Sequence, residues 1–352
     1  MNAFRPTDQV VGQDWPRLAA WLAARGRHLD LGAPIRQFGT GLANLNYLLT
    51  VDGVPVVFRR PPAGPVAAGA NDMAREFGVL GKLADHFALV PRPIEFGDDV
   101  SVVGVPFQLI EYRSGTAIGG TLPDQARVHG VGAKLTADLI SAMATLHALD
   151  PVAVGLGELG RPQGFLGRQV EGWARRSSAA YDNAEPSSVK PILTYLRANV
   201  PSSQGISLLH LDLKFDNMLY DLDRLEPVAI VDWDMTTRGD ALYDLGVLLS
   251  YWVEPGDPQE IHALEQVPSL EPGFPSRAEV AAMYFAATGR EPAELDFYII
   301  LARFRLAVVF QQLYVRFLSG ALKGPKYSGF YDLARQYLDW TESSLSSSAR
   351  PL

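Results

Sequence analysis

Two stretches decide the fold: LLHLDLKFDNMLY at residues 208–220 and VAIVDWD at residues 228–234. Each begins as an apolar run of strand character and ends in acidic side chains. The first presents Asp212 and, five residues later, Asn217, and the second presents Asp232. Buried strands that deliver carboxylate and amide oxygens to loop positions are typical of a metal-dependent site.

The spacing of these polar groups indicates one class of reaction, phosphoryl transfer. Phosphoryl transfer uses a carboxylate that takes the proton of the attacking hydroxyl and oxygen ligands for magnesium ions. The alternative for Asp212, Asn217 and Asp232 is three polar loop residues at coincidental spacing, which the apolar strands before both acids disfavour. His210 follows an apolar strand directly, and we interpret it as a core histidine that supports the loop.

Length and composition predict a globular protein of two lobes. A chain of 352 residues exceeds what one core usually organises. Hydrophobic residues make up 47% of the chain and charged residues 20%, as in ordinary globular proteins. The chain has no cysteine, which excludes disulfides, thiolate metal sites and a cysteine nucleophile.

The net charge and the hydropathy of the chain indicate which binding partners and which cellular compartment to expect. A net charge of -8 argues against general nucleic-acid binding, which needs a basic surface. The N-terminus carries no long apolar run, and the apolar runs elsewhere are too short or too broken to span a bilayer. We therefore expect a cytoplasmic protein without a membrane segment, and the sequence does not predict its oligomeric state.

The first third of the chain shows strand patterns. Asp52-Gly53 between the apolar runs 46–51 and 54–60 predicts a β-hairpin. The turn before it contains Gly39, Thr40 and Gly41, whose backbone amides would suit phosphate oxygens. A glycine-bearing turn without a ligand explains this segment about equally well.

Two adjacent cations end the second strand of this hairpin. Side chains alternate along a strand, so only one of Arg59 and Arg60 faces the nucleotide cleft, and the motif favours Arg59. The helical pattern over 71–87 carries Glu76, which would orient such a cation through an ion pair. The alternative is a solvated helix carboxylate.

The remaining pattern places a hinge near residue 111. Residues 101–110 form an apolar run that predicts an edge or bulged strand, interrupted by Gly104 and Pro106. Beyond Gly132 the chain is mainly helical. We predict an α+β fold with an antiparallel-sheet lobe at 1–110, a hinge at 111–116, and a helical lobe at 117–352.

This arrangement resembles the protein-kinase-like fold, and within it the aminoglycoside phosphotransferase and choline kinase superfamily. It is most similar to the branch related to the kinase domain fused to acyl-CoA dehydrogenases in some animals; we expect a stand-alone form of that domain. The similarity rests on Phe38-Gly39, Phe58-Arg59-Arg60-Pro61-Pro62, Arg75-Glu76-Phe77, Leu146-His147-Ala148-Leu149-Asp150, Val154-Gly155-Leu156-Gly157, Asp216-Asn217-Met218-Leu219 and Phe304-Arg305-Leu306-Ala307.

The resemblance implies a role for each residue of the motif. Asp212 would be the catalytic base, and Asn217 and Asp232 would be magnesium ligands. Lys214 would reach the transferred phosphate, with a solvent-exposed loop lysine as the alternative. Asp234 would assist the metal or cap the following segment, two roles that the sequence supports equally.

The resemblance also implies ATP as the phosphate donor, with GTP as the alternative that the sequence leaves open. Its contacts would come from the glycine-bearing turn, from Arg59 with Glu76, and from the hinge. Ile110 would shape the nucleotide pocket. Glu111 and Arg113 are included for their position in the hinge, where backbone groups rather than side chains would bind the adenine. Asp240 and Asp244 would be structural, as a helix N-cap and as an acceptor of backbone hydrogen bonds in the loop.

Two positions depart from the family pattern. Arg59 stands where kinases usually carry lysine, and Leu211 stands where many phosphotransferases carry glycine. The second departure puts the local backbone conformation in question, although it removes no catalytic group.

We expect the acceptor to be the hydroxyl group of a small molecule, and the resemblance suggests a hydroxyacyl-CoA-type metabolite. An aminoglycoside or choline-like acceptor is the alternative within the same class. A non-catalytic nucleotide-binding scaffold is the alternative from another class. Side chains that could line the acceptor site are Trp173, Arg176, Tyr284 and Arg305.

Overall fold

The structure is a computed structural model that describes residues 4–39, 44–62, 72–203, 205–322, 324 and 327–346. The chain divides into two compact units. The first comprises Met1–Gly115 together with Val228–Thr236, and the second comprises Thr116–Pro227 together with Thr237–Leu352. The predicted α+β class is confirmed, because one unit is built on an antiparallel sheet and the other is mainly helical.

In its described residues, the first unit contains a five-stranded antiparallel sheet and three α-helices. The sheet order is β1-β2-β3-β5-β4. Its strands are β1 (Arg36–Gln37), β2 (Leu45–Val51), β3 (Val54–Arg60), β4 (Pro93–Gly97) and β5 (Phe107–Glu111), and its helices are α1 (Trp15–Ala23), α2 (Met73–Leu83) and α3 (Val100–Val103).

The predicted hairpin connects β2 and β3. Asp52 and Gly53 both have positive φ, at 54° and 77°, as a two-residue hairpin turn requires. One face of the hairpin packs on α1 in a core that contains Leu18, Tyr47 and Phe58. This packing fixes the register of β3 and therefore which of its two arginines points to which face.

The predicted strand over 101–110 is wrong in its first half. Residues Val100–Val103 form α3 instead, because the Asp99 side chain caps it by accepting the N–H of Ser101 at 2.9 Å. Gly104, with φ of 86°, ends that helix, and β5 begins only at Phe107. Capping residues at both ends thus override the strand tendency of the apolar run.

The segment Val228–Thr236 belongs to the first unit, whereas the sequence prediction had it in the 117–352 lobe. The N–H of Ile230 donates to the carbonyl oxygen of Leu89 at 2.7 Å. The Arg75 guanidinium donates to the carbonyl oxygens of Asp234 and Thr236. These long-range bonds have no local sequence signal.

The second unit is organised around helices. Strand β7 pairs with β10, and β6 pairs with β8, both antiparallel. The strands are β6 (Thr116–Ala117), β7 (Ser207–Leu209), β8 (Met218–Asp221), β9 (Glu226–Ile230, which crosses the unit boundary) and β10 (Thr237–Gly239), and the helices are α4 (Val131–Ala148), α5 (Phe165–Ala180), α6 (Val189–Ala198), α7 (Ala241–Tyr251), α8 (Arg277–Thr288), α9 (Asp296–Leu318) and α10 (Phe330–Ser343).

Helices α7 and α9 form the centre of this unit. Every residue of α7 is buried, which explains why the helix is apolar on all sides. By length and composition α9 would pass as a membrane-crossing helix, contrary to the expectation from the sequence. However, 72% of its apolar window is buried, and it packs against α5, α7 and α10. Core packing therefore accounts for its composition.

Candidate active site

Asp212 lies in the loop of residues 210–217 that follows β7, here called the Asp212 loop. Its Oδ2 accepts from Lys214 Nζ at 2.8 Å and from Asn217 Nδ2 at 2.9 Å. Its Oδ1 accepts from the Tyr251 hydroxyl at 3.3 Å. The side chain remains 22% exposed. Asp212 is therefore held in a fixed orientation while still reachable from solvent.

Charge around Asp212 keeps its carboxyl ionised. Burial would raise the pKa of Asp212, but the charges of Lys214 and Arg305 outweigh burial and hold it below its usual range. Lys214 also pairs with Asp216 Oδ1 at 2.9 Å, and these carboxylates raise the pKa of Lys214 despite its burial. Both members of the pair are thus charged at neutral pH.

Asn217 is oriented by the same aspartate. Its Nδ2 donates to the backbone oxygen of Asp212 at 2.8 Å as well as to the carboxylate. Since both amide hydrogens are directed to Asp212, the amide oxygen points the other way. A fixed amide oxygen is a suitable ligand for a hard cation such as Mg²⁺.

The backbone before Asp212 adopts a left-handed conformation. Leu211 has φ of 66°, a region that costs non-glycine residues energy. The buried carboxylate of Asp244, on α7, accepts the N–H of His210 at 2.8 Å and that of Leu211 at 2.6 Å. The predicted role of Asp244 is confirmed, and leucine at 211 keeps the conformation that glycine would adopt without cost.

Asp244 is itself supported by a residue that the sequence reasoning missed. His147 on α4 places its Nε2 3.2 Å from Asp244 Oδ2 and its Nδ1 2.8 Å from the Tyr284 hydroxyl. With Asp244 ionised, its carboxylate can only accept, so Nε2 is the donor in this hydrogen bond. The only sequence signal was the position of His147 within a family-like motif. The predicted N-cap is also confirmed, because Asp240 accepts the N–H of Leu242.

In the first unit, Arg59 joins two carboxylates. Its Nε lies 2.9 Å from Glu76 Oε2, and its Nη2 bonds Asp232 Oδ1. Burial would lower the pKa of Arg59, but Glu76, Asp232 and Asp234 outweigh burial and raise it. Glu76 is 2% exposed, so the alternative of a solvated carboxylate is wrong.

Arg60 is used differently. Its guanidinium donates to the Val103 carbonyl oxygen at 2.7 Å and to Gln13. The alternation of the strand thus directs Arg59 and Arg60 to different partners, as predicted.

The acids of the second motif lie in a tight turn. Asp232 has φ of 68° and a carboxylate that is 33% exposed, and Asp234 lies within the 3₁₀ turn Trp233–Met235. Oxygen donors of this kind fit Mg²⁺, which uses one or two carboxylates, phosphate oxygens and waters. Among the described residues, no group of three or more His, Asp or Glu side chains is arranged to hold a metal.

The hinge residues are tied into the first unit. Glu111 Oε2 accepts the N–H of Arg92 at 3.0 Å, and Arg113 donates to Glu111, to Val90 and to Val228. Their side chains are therefore engaged in hydrogen bonds within the first unit, and nucleotide contact by their backbone stays a prediction.

The other predicted nucleotide-binding positions lie near the sheet. Ile110 lies buried in β5, and Gly39 lies two residues beyond the end of β1. Thr40 and Gly41 lie outside the described residues.

Three of the four acceptor candidates lie together. Arg176 stacks over the ring of Trp173 with 4.6 Å between guanidinium carbon and ring centroid, and Arg305 lies 5.8 Å from the same ring. Arg305 also acts on the pKa of Asp212. The fourth, Tyr284, bonds His147 instead.

Residues 34–298 match the model of the phosphotransferase enzyme family, and the chain belongs to that family. Its relatives include acyl-CoA dehydrogenase family member 10 of Mus musculus, 26% identical over 84% of this chain and 28% of the relative. Family member 11 of Rattus norvegicus is 27% identical over 91% of this chain and 42% of the relative. The chain thus spans less than half the length of these relatives.

Solved structures show the same kinase-like fold. A protein from Ralstonia eutropha assigned as an aminoglycoside phosphotransferase has a TM-score of 0.73 at 23% identity, covering 94% of this chain and 99% of that one. Choline kinase from Cryptosporidium parvum has a TM-score of 0.59 at 12% identity, covering 90% and 91%. The resemblance derived from the sequence motifs is confirmed.

Proposed function

We propose that this protein is an ATP- and Mg²⁺-dependent kinase that phosphorylates a hydroxyl group of a small molecule. The observation that carries the proposal is the fixed, ionised carboxylate of Asp212, held by Lys214 and Asn217 in a chain of the phosphotransferase family. A related structure, APH(4)-Ia, is a ternary complex with ADP and hygromycin B, which supports nucleotide and small-molecule binding in this family.

In this proposal Asp212 accepts the proton of the acceptor hydroxyl. The hydroxyl oxygen forms a bond to the γ-phosphorus of ATP while the bond from that phosphorus to the ADP oxygen breaks. A low pKa suits Asp212, because the proton is transferred late in a loose transition state and the base must be ionised beforehand. Lys214 holds the carboxylate in position and offers positive charge near the transferred group.

Asn217 and Asp232 would hold Mg²⁺, with Asp234 assisting. Bound Mg²⁺ supplies charge neutralisation on the phosphate oxygens. Arg59 orients Asp232 through their ion pair and is in turn oriented by Glu76. Gly39, Thr40, Gly41 and the backbone of the hinge would complete the nucleotide contacts.

We favour an acyl acceptor of the hydroxyacyl-CoA type over a polycationic one. The guanidinium of Arg305 acts electrostatically on Asp212, and that of Arg176 shares the ring of Trp173 with it. Cations beside the base would repel aminoglycoside or choline-like acceptors but would suit a carbonyl or carboxylate oxygen. The similarity to acyl-CoA dehydrogenase family members supports the same acceptor class.

Isothermal titration of ATP with and without Mg²⁺ tests the nucleotide half of the proposal. We expect Mg²⁺-dependent binding that weakens about tenfold or more in Asp232→Asn and in Asn217→Ala, since even indirect supports of a metal are worth that much. Asp85→Asn and Asn199→Ala are matched controls at exposed positions and should bind as wild type. ATP binding that is indifferent to Mg²⁺ and to both substitutions would favour a non-catalytic nucleotide-binding scaffold, and absence of ATP binding would contradict the proposal.

A further inference from the structure

A cavity of about 300 Å³ lies between α4 and α8 in the second unit, and none of the proposed catalytic residues lines it. Its size is at the lower end of small-molecule sites. The residues that decide its chemistry are Ala144, Thr145, His147, Ala148, Ala287 and Arg290.

The lining combines one cationic side chain with short apolar ones. The Arg290 guanidinium can bind a carboxylate or phosphate group through two donors. The methyl groups of Ala144, Ala148 and Ala287 provide room and apolar contact for a short aliphatic chain. A small organic oxyanion matches this lining in charge and size.

One hydrogen-bonded path leads from the cavity to the strand before the Asp212 loop. Arg290 Nη2 donates to Ser207 Oγ at 3.0 Å, and Ser207 Oγ donates to the carbonyl oxygen of His147 at 3.1 Å. Ser207 is the first residue of β7, and His210 follows the last. The cation of the cavity therefore contacts the first residue of the strand that leads into the Asp212 loop.

A second path leads through the His147 side chain. His147 is among the residues that line the cavity, and its buried imidazole bonds through Nε2 the Asp244 carboxylate that accepts the N–H groups of His210 and Leu211. The two paths begin at Arg290 and His147 and both end within residues 207–211. A ligand that immobilises the cavity lining would therefore also restrain the backbone of residues 207–211, which leads to Asp212.

We propose that this cavity is an effector site for a small organic oxyanion, which binds Arg290 and stabilises the Asp212 loop from behind. The ligand immobilises Arg290 and packs beside His147, so opening of residues 207–211 becomes rarer. Because coupling between two sites is reciprocal, a better ordered loop also binds the effector more tightly.

Hydrogen–deuterium exchange of the peptide covering residues 207–213 tests the site without relying on turnover. The probe is butyrate, and 1-butanol is its neutral counterpart of similar size. We expect butyrate to slow exchange of this peptide at least twofold and 1-butanol to leave it unchanged. Arg290→Gln should abolish the effect, Arg290→Lys should weaken it, and Arg197→Gln, which removes an exposed cation from α6, should retain it.

Several results would overturn the proposal. If butyrate leaves exchange unchanged, or if 1-butanol slows it equally, the cavity is not an oxyanion effector site. If the effect survives Arg290→Gln, the anion binds elsewhere. Should butyrate bind by calorimetry in an Arg290-dependent way without altering exchange at 207–213, the coupling to the Asp212 loop is refuted.

Discussion

Asp244→Asn tests how the left-handed residue before Asp212 is held. The carboxylate accepts two backbone N–H groups, at 2.8 and 2.6 Å, and is fully buried. An asparagine offers one oxygen, and its NH₂ group would face the second N–H. We expect a cost of about 2–4 kcal/mol, made up of one unsatisfied buried donor and weaker hydrogen bonding to an uncharged acceptor.

The conformation of residue 211 decides how the loop responds to this loss. With Asp244 absent, a side chain at 211 favours departure from the left-handed region by about 1–2 kcal/mol. Glycine lacks that penalty, whereas alanine keeps it. Leu211→Gly and Leu211→Ala remove nearly the same buried side chain and therefore lose similar packing. The difference between the two variants thus reports the energy of the left-handed backbone conformation alone.

The assay combines urea unfolding with exchange of the 207–213 peptide. In the Asp244→Asn background, we expect the glycine variant to populate the ordered loop about tenfold more than the alanine variant, since 1.4 kcal/mol is a factor of ten. With Asp244 present, both loops should be ordered and only their unfolding free energies should differ. Equal exchange of the two variants in the Asp244→Asn background would refute the claim that Asp244 holds a strained residue.

Three further predictions follow from the charged groups. Burial raises the pKa of Asp244, but His147 and the backbone donors outweigh it and lower the pKa; its stabilisation is therefore complete above the unfolded pKa of about 4 and is lost as pH falls through the lower folded value. In urea titrations, the difference in free energy of unfolding between wild type and Asp244→Asn should shrink below about pH 4. A difference that grows on acidification would contradict the predicted direction. Arg59→Lys should weaken Mg²⁺-ATP binding about tenfold, because lysine lacks the guanidinium fork that joins Glu76 and Asp232. Arg60→Lys should leave binding unchanged. If calorimetry showed weaker binding for Arg60→Lys and not for Arg59→Lys, Arg60 would be the nucleotide-binding cation. Lys214→Met should lower kcat about 100-fold with a small change in ATP affinity, and an equal loss in both, measured by steady-state kinetics and calorimetry, would make Lys214 a binding residue.

The sequence predicted elements that depend on local patterns. The turn at Asp52-Gly53, the N-cap Asp240 and the two-face alternation of Arg59 and Arg60 follow from neighbouring residues alone. The spacing within 208–220 likewise sufficed to bring Asp212, Lys214 and Asn217 together, because all three lie in one short loop.

Long-range contacts had no such signal. His147 meets Asp244 across nearly a hundred residues, and only the folded chain shows that it supports the left-handed Leu211. The attachment of Val228–Thr236 to the first unit depends on Arg75 and Leu89, which no spacing rule connects to it. The failure at residues 101–110 was local, because an apolar run concealed the caps Asp99 and Gly104.

Transfer of phosphate from ATP to an acceptor tests the central claim most directly. A panel of hydroxyacyl-CoA, aminoglycoside and amino-alcohol acceptors would be followed by ³¹P NMR with wild type, Asp212→Asn and the control Asp138→Asn. We predict a new phosphomonoester signal, equal in amount to the ADP formed, with wild type and the control on a hydroxyacyl acceptor, and its loss by orders of magnitude with Asp212→Asn. Undiminished transfer by Asp212→Asn would contradict the account.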